Sequence, residues 1–398
     1  MNGIITPANQ KGLDLGPGLK KNNTAWGPRF GFAWAPGSHK TVFRGGYGIN
    51  YFWGTSTDMN LSTNPPFVNS VSISNTLLSN PMGTNGTLFP AAFAAQDVYN
   101  KLPSVQSYSA NIQRQLGRGM SIEVGYVGTM GNHLPRSLQL NQGIPTSTGN
   151  VNLRRPYIGL GSITYLENSA ISRYNSMQTR FNRRLSHGLF LQASYTFARA
   201  LGNPEGMPYD SRNKDLDYGP LNVSRKHAFT FNYIYQVPFF THHGILGGLF
   251  SGWQLSGIVN YGTGLPVNVT QAGDTVNFGG NTGAQRPNEI GNPNQNLGAD
   301  INQWFNTAAY VKVTGAGVVG NAQFNSTWGP GIANCDTSLL KTFKATERLR
   351  IQTGVETFNA LNHTQFESVG NQLGSANFGI VTAARDPRIL QLRLKLSY

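Results

Sequence analysis

The last eleven residues, 388–398, alternate strictly between apolar and polar side chains. On one face of an extended chain lie Leu390, Leu392, Leu394, Leu396 and Tyr398, and on the other lie Gln391, Arg393, Lys395 and Ser397. A period of two predicts a β-strand. Taken alone, this stretch fits either an antiparallel edge strand in water or a membrane-barrel strand whose leucines face lipid.

The same alternation recurs along the chain. It predicts ten further strands, at residues 28–35, 41–53, 107–116, 120–128, 173–185, 189–199, 226–237, 251–262, 336–344 and 348–358. At roughly 8 to 13 residues, these strands suit a tilted membrane crossing and exceed the 5 to 6 residues usual in globular sheets. Several aromatic residues lie near the predicted strand ends, where an interfacial girdle requires them.

The connections between these strands are alternately short and long. The long ones, rich in Gly, Asn and Pro, are residues 54–106, 129–172, 199–225, 263–335 and 360–387. Outer-membrane barrels have this asymmetry, with short periplasmic turns at one rim and long external loops at the other. The pattern therefore predicts an all-β fold, an antiparallel transmembrane β-barrel, whose external loops would capture a ligand that the sequence leaves unknown.

Polar residues on the opposite strand faces would then line a water-filled lumen. We predict lumen-facing positions at Arg180, Arg350, Gln352, Glu356, Gln391, Arg393 and Lys395.

The number of strands also bears on the organisation of the chain. Bacterial single-chain barrels have an even number of strands, whereas eleven are predicted here. We therefore expect at least one further strand upstream, with residues 1–27 as the remnant of an external loop and residues 28–398 as the C-terminal portion of the barrel. The N-terminus has neither a basic segment nor an apolar run, so we expect no signal peptide within these residues.

Composition supports a hydrated β-structure in a membrane. Only 12% of the residues are charged, against roughly 25% in ordinary globular proteins, yet the mean hydropathy is -0.30. No apolar run approaches the roughly 20 residues of a spanning helix, which excludes a helical membrane protein. The net charge of +14 is compatible with outer-membrane lipid and lipopolysaccharide, whereas the scattered arginines, without a binding motif, argue against nucleic acid.

Candidate chemistry is sparse. No nucleophile elbow, phosphate loop or zinc motif is present, so we expect no enzymatic activity, no catalytic or metal-site residues and no cofactor. Asp210, Asp215 and Asp217 share a loop that could bind calcium, although a solvated loop is the simpler interpretation. His242 and His243 are interpreted in the same way, as a solvated turn, and Cys335, which is the sole cysteine, as an incidental loop thiol.

Two arginine pairs complete the candidates. Arg154 with Arg155, and Arg183 with Arg184, could contact anionic lipid or substrate.

Short motifs spread over nearly the whole chain resemble the C-terminal β-barrel of Oar-like TonB-dependent transporters. They are GPRFGFAW at 27–34, FRGGYGINY at 43–51, QRQL at 113–116, EVGYVG at 123–128, YNSMQ at 174–178, NRRLSHG at 182–188, ASYTF at 193–197, GWQLSG at 252–257, WFNTAAY at 304–310 and ARDPRILQL at 384–392.

The resemblance implies an outer-membrane receptor whose complete barrel has 22 strands, of which about 11 or 12 are here. In that family a plug and a TonB box precede the barrel. Neither lies in these residues, so TonB would act only through missing N-terminal parts. The closing strand, Leu390, Leu392, Leu394, Leu396 and Tyr398, resembles the signal that the outer-membrane assembly machinery recognises. A structural or adhesive surface barrel, or an all-β binding protein in water, remains an alternative.

Overall fold

The computed structural model is all-β. It describes residues 25–52, 92–97, 101–117, 119–145, 150–204, 206–238, 250–279, 284–344 and 348–398, with the single positions 64, 79, 99, 248 and 346. Within these ranges no helix is long and apolar enough to cross a membrane.

The main sheet has 13 strands, of which eleven follow one another in a continuous order, and these eleven were predicted. They are β1 (Arg29–Trp34), β2 (Thr41–Tyr51), β4 (Ser104–Gly117), β5 (Met120–Gln139), β6 (Ile163–Ser186), β7 (Leu189–Gly202), β9 (His227–Gln236), β10 (Trp253–Gly262), β16 (Ile332–Lys344), β17 (Arg350–Phe358) and β21 (Ile389–Ser397).

Ten shorter strands lie in the connections. They are β3 (Phe93–Gln96), β8 (Gly219–Pro220), β11 (Pro266–Val267), β12 (Thr270–Gln271), β13 (Asn288–Glu289), β14 (Tyr310–Val311), β15 (Thr327–Trp328), β18 (Phe366–Val369), β19 (Gln372–Leu373) and β20 (Val381–Ala384). Within the described residues, three single-turn 3-10 helices accompany them, at Val151–Leu153, Lys214–Asp217 and Thr307–Ala309.

The main sheet is a meander. Its strand order is β1-β2-β4-β5-β6-β7-β9-β10-β16-β17-β21, and each neighbouring pair is antiparallel. Short connections, such as the one at 187–188 between β6 and β7, all lie at one end of the sheet. Long connections, such as the one between β10 and β16, all lie at the other. The predicted alternation of turns and loops is therefore confirmed.

The pairing register gives the sheet two chemically different faces. Along β9, β10 and β16, the cross-strand rows Phe231–Val259–Cys335 and Tyr235–Leu255–Leu339 contain only apolar or weakly polar side chains. On the opposite face, Arg44 Nη1 donates to Gln113 Oε1 at 2.7 Å across β2 and β4. One apolar and one polar face is the arrangement that a lipid boundary and a wet interior require.

The aromatic and aliphatic face is solvent-exposed in the isolated chain. Phe30 on β1 is 68% exposed, and Leu392 on β21 is 84% exposed. Globular proteins rarely leave so continuous an apolar surface uncovered. Lipid is the environment that covers it in an outer-membrane barrel.

β5 and β6 are much longer than predicted. We expected residues 129–172 to be loop, but β5 continues to Gln139 and β6 begins at Ile163, so that their pairing extends from Met120↔Arg183 to Gln139↔Thr164. The 20 and 24 residues of these strands exceed the roughly 9 to 11 needed to span a membrane. The extra length forms a hairpin that rises beyond the neighbouring strands at the long-loop end.

The remaining loop predictions are only partly correct. The predicted loop 54–106 contains β3, which pairs in parallel with β6, and β4 begins within it. The predicted loop 263–335 ends early, because β16 begins at Ile332. Cys335 is therefore a strand residue on the apolar face and not the loop thiol that we expected. Residues 1–24, most of 54–91 and His242 with His243 lie outside the described residues.

Buried hydrophobic residues concentrate outside the main sheet. Val269, Phe305 and Phe278, at most 1% exposed, all lie in the β10–β16 connection. The hydrophobic core of this protein is thus located in its long loops, which fold into a layer at one end of the sheet.

The loop layer as candidate functional site

The loop layer consists of the connections β5–β6, β7–β9, β10–β16 and β17–β21. Its largest buried cluster contains Val269, Phe305, Ala309, Tyr310 and Ala322. Phe378 of the last connection packs edge-on against Phe305, with ring centroids 5.3 Å apart. Two connections that β16 and β17 separate in sequence therefore share one core.

A second cluster joins the β7–β9 connection to the β10–β16 connection. Tyr209 and Phe278 pack edge-on at 5.4 Å, and Val276 is fully buried beside them. The Arg212 guanidinium lies 5.0 Å from the centre of the Phe278 ring, which adds a cation–π contact.

Buried amide side chains replace regular secondary structure in this layer. Gln271 Nε2 donates to Val313 O at 3.1 Å, and Val313 N donates to Gln271 Oε1 at 2.8 Å. Gln142 bonds Tyr209 O and Ser211 N in the same way. Because a loop backbone must satisfy its N–H and C=O groups, these amides allow irregular chain to be buried.

Arg154 and Arg155, which we considered as possible lipid or substrate contacts, instead hold two loops together. Arg154 Nη2 donates to Asn277 O at 3.1 Å. Arg155 donates to Gly279 O at 3.2 Å and also bonds Asn141 O. Burial lowers the pKa of the Arg155 guanidinium below its usual value. Both side chains therefore have a structural role between the β5–β6 and β10–β16 connections.

The interpretation of the aspartate loop as solvated is wrong for Asp210 and Asp217, which are buried, whereas Asp215 is exposed. Asp217 forms an ion pair with Arg286 at 2.9 Å, and the two side chains are 5% and 1% exposed. Burial raises the pKa of the Asp217 carboxyl, an effect that Arg286 opposes. Asp210 pairs with Arg212 at 3.0 Å. Among the described residues, no group of three or more acidic, histidine or cysteine side chains is arranged to hold a metal ion.

The register places the seven predicted lumen residues on one face of the sheet. Gln352 lies opposite Lys395, and Glu356 lies opposite Gln391. Arg393 Nη1 donates to Glu356 Oε1 at 2.9 Å. Arg180 lies opposite Glu123 and Ser194 on the same face. That this face lines the lumen stays a prediction.

Two of the clefts in the loop layer share a wall. The first, about 350 Å³, is lined on its polar side by Arg225, Asn268, Asn325, Glu367 and Arg385. The second, about 570 Å³, is lined by Met207, Leu221, Phe324 and Arg286 among others. Asn222 and Asn268 line both clefts. Sequence reasoning did not find these positions, because they come from three connections and carry no local motif.

The family follows from the sequence profile. The profile of the "Outer membrane beta barrel domain" matches residues 2–391, which is almost the entire chain. The chain belongs to the outer-membrane β-barrel family. Its location is therefore the bacterial outer membrane, and membership indicates a non-enzymatic protein. The described residues show the main sheet of this barrel, with short turns at one end and long loops at the other.

Several solved structures are similar to this chain. The outer membrane transporter YddB of Escherichia coli matches with a TM-score of 0.51 and 14% identity, over 92% of this chain and 40% of YddB. The siderophore receptor PiuA of Acinetobacter baumannii matches with a TM-score of 0.46 and 9% identity, over 93% of this chain and 35% of PiuA. FpvA of P. aeruginosa matches with a TM-score of 0.43 and 10% identity, over 92% of this chain and 32% of FpvA.

The match to YddB shows a common fold. The chain thus spans about two fifths of the length of that barrel protein. None of the curated proteins matches the chain in sequence.

Proposed function

We propose that the chain is the C-terminal barrel part of a TonB-dependent receptor, and that its loop layer captures a ligand outside the cell for uptake by the full-length protein. The observation that carries this proposal is the loop layer itself. Its connections share buried cores, such as that around Phe305, and enclose two clefts at the loop end of a barrel sheet. A folded layer with clefts suits recognition better than loose loops do, because its binding groups are already positioned.

The same proposal assigns residues 1–27 to an external segment and residues 28–398 to the barrel, as the sequence predicts. Energy from TonB would reach these residues only through N-terminal parts of the full-length protein. The Oar-like subtype belongs to this proposal as well, supported by the motifs given above.

The outward face supports contact with outer-membrane lipid and lipopolysaccharide. Two exposed arginines, Arg173 in the middle of β6 and Arg199 near the loop end of β7, lie next to the apolar face that includes Met177 and Phe197. Basic side chains above an apolar belt suit lipopolysaccharide phosphates over acyl chains.

The closing strand supports recognition by the outer-membrane assembly machinery. Leu390, Leu392, Leu394 and Leu396 form a continuous stripe, each at least 59% exposed, and Tyr398 is fully exposed beyond them. Within the described residues β21 pairs only with β17, so its other edge is open.

The uptake proposal predicts energy-dependent accumulation. Cells carrying the complete gene would be incubated with labelled ferric citrate, tetragalacturonate or a tripeptide, in parallel with cells lacking the gene and cells lacking TonB. We expect at least one probe to accumulate only when both the gene and TonB are present.

Accumulation without TonB would contradict the proposal. Surface binding that is equal with and without TonB, with no accumulation, would instead support the adhesive or structural barrel.

A further inference from the structure

The first cleft contains two arginines that face the same space. Arg225 precedes β9, and its Nη1 donates to Thr263 O, which fixes the direction of the guanidinium. Arg385 follows β20 and lines the same cleft. Besides burial, the nearby charge of Arg385 lowers the pKa of Arg225. The two like charges repel each other, and an anion bound between them would relieve that repulsion.

A single carboxylate counters these charges. Glu367 pairs with Arg385 at 3.5 Å, but the two side chains are 51% and 48% exposed. Ion pairs so exposed contribute little and exchange readily. Arg385 can therefore turn to a ligand, and the cleft keeps a net positive charge from the three side chains.

The cleft also contains acceptors that need a donor. Asn325 is 1% exposed, and its Nδ2 donates to Pro220 O at 2.6 Å and Asn222 Oδ1 at 2.8 Å, which fixes the amide orientation. Within the described part of the chain, Oδ1 of Asn325 and Oδ1 of Asn268 accept no hydrogen bond. Both oxygens lie below the surface of the cleft. Asn268 is half-buried, so its amide can turn toward a ligand hydroxyl group, which would supply the missing donor.

The shape of the site favours an extended ligand. Asn222 and Asn268 form a wall common to both clefts, and the second cleft adds the apolar surfaces of Leu221, Met207 and Phe324. Arg286 also lines it, with Nε unpaired in the described residues. Polar groups above apolar side chains suit a chain of sugar rings, which have both hydroxyl edges and C–H faces.

We propose that the two clefts bind an acidic oligosaccharide, with a carboxylate between Arg225 and Arg385 and a hydroxyl group donating to Asn268. The inference rests on the proposed function, because it names the class of ligand that the loop layer captures. Neutral oligosaccharides of the same length offer the hydroxyl groups without the carboxylate and bind more weakly.

Calorimetry on the full-length protein in detergent tests this proposal. Tetragalacturonate is the acidic probe and maltotetraose is the neutral probe. We expect saturable binding of tetragalacturonate. The affinity for maltotetraose should be lower by about tenfold or more, because this probe lacks the carboxylate that forms charge-assisted hydrogen bonds with the arginines. Arg385→Gln should weaken the binding of tetragalacturonate by about the same factor and leave the affinity for maltotetraose unchanged.

Arg388→Gln is the matched control. Arg388 lies three residues further along the same connection, is exposed and lines neither cleft, yet the substitution removes the same charge. It should leave both affinities unchanged. Equal affinity for the two probes, absence of tetragalacturonate binding, or equal effects of the two substitutions would overturn the proposal.

The two proposals fail in different ways. If tetragalacturonate does not bind but another probe still accumulates through TonB, the acidic-oligosaccharide inference is wrong and the uptake function stands. If tetragalacturonate binds as expected but no probe accumulates in cells, the site is correct and the uptake function is wrong.

Discussion

Asp217→Ala is expected to destabilise the loop layer by about 3 to 5 kcal/mol, because it leaves the Arg286 guanidinium buried without its counter-ion. Arg286 is 1% exposed and, apart from the ion pair, its Nη1 donates to Leu216 O at 3.0 Å. The pair joins the β7–β9 connection to the β10–β16 connection. Its loss should therefore increase hydrogen exchange and proteolysis in residues 206–225 and 263–331.

Two further variants make this prediction specific. The double variant Asp217→Leu with Arg286→Met removes both charges and should recover most of the lost stability. Glu367→Gln breaks the half-exposed pair with Arg385 and should change stability by at most about 1 kcal/mol. An effect of Asp217→Ala no larger than that of Glu367→Gln would show that the buried pair does not hold the layer together.

Leu392→Arg is expected to lower the free energy of unfolding from lipid vesicles by about 2 to 4 kcal/mol, because it places a charge on the lipid face near the middle of β21. Leu392 is 84% exposed and lies opposite Val355. Urea titration of the refolded protein, followed by tryptophan fluorescence, measures the change. Val355→Arg, on a strand that is paired on both sides, should have an effect of the same sign.

Gln391→Arg is the matched control for this prediction. Gln391 is the adjacent residue, and it points to the opposite face beside Glu356. An arginine there would sit in the wet interior and should cost roughly 1 kcal/mol or less. If Gln391→Arg were the more damaging of the two, the assignment of lipid and lumen faces would be reversed.

Sequence alone predicted the main sheet well. All eleven strands were predicted, and β2, β7 and β17 begin within two residues of their predicted starts. The reason is physical, since a strand between lipid and water must alternate along its whole membrane-spanning length. Where β5 and β6 leave that environment, at Leu134 and Leu166 for example, the constraint ends and the alternation disappears.

The loop layer could not be predicted in the same way. Its stabilising contacts join positions far apart in sequence, such as Asp217 with Arg286 and Arg155 with Gly279. Nothing in the local sequence distinguishes a solvated Asp217 from a buried one. The composition of Gly, Asn and Pro indicated loops correctly but gave no sign that they share a core.

The sidedness of the barrel is tested most directly by labelling single cysteines on intact cells. In a Cys335→Ser background of the full-length protein, Leu153→Cys places a thiol on an exposed position of the loop layer, and Ser38→Cys places one in the short turn between β1 and β2. The account predicts that a membrane-impermeant maleimide labels Leu153→Cys on intact cells, and Ser38→Cys only after the outer membrane is permeabilised. Labelling of Ser38→Cys but not Leu153→Cys on intact cells would contradict it, because the loop layer would then face the periplasm.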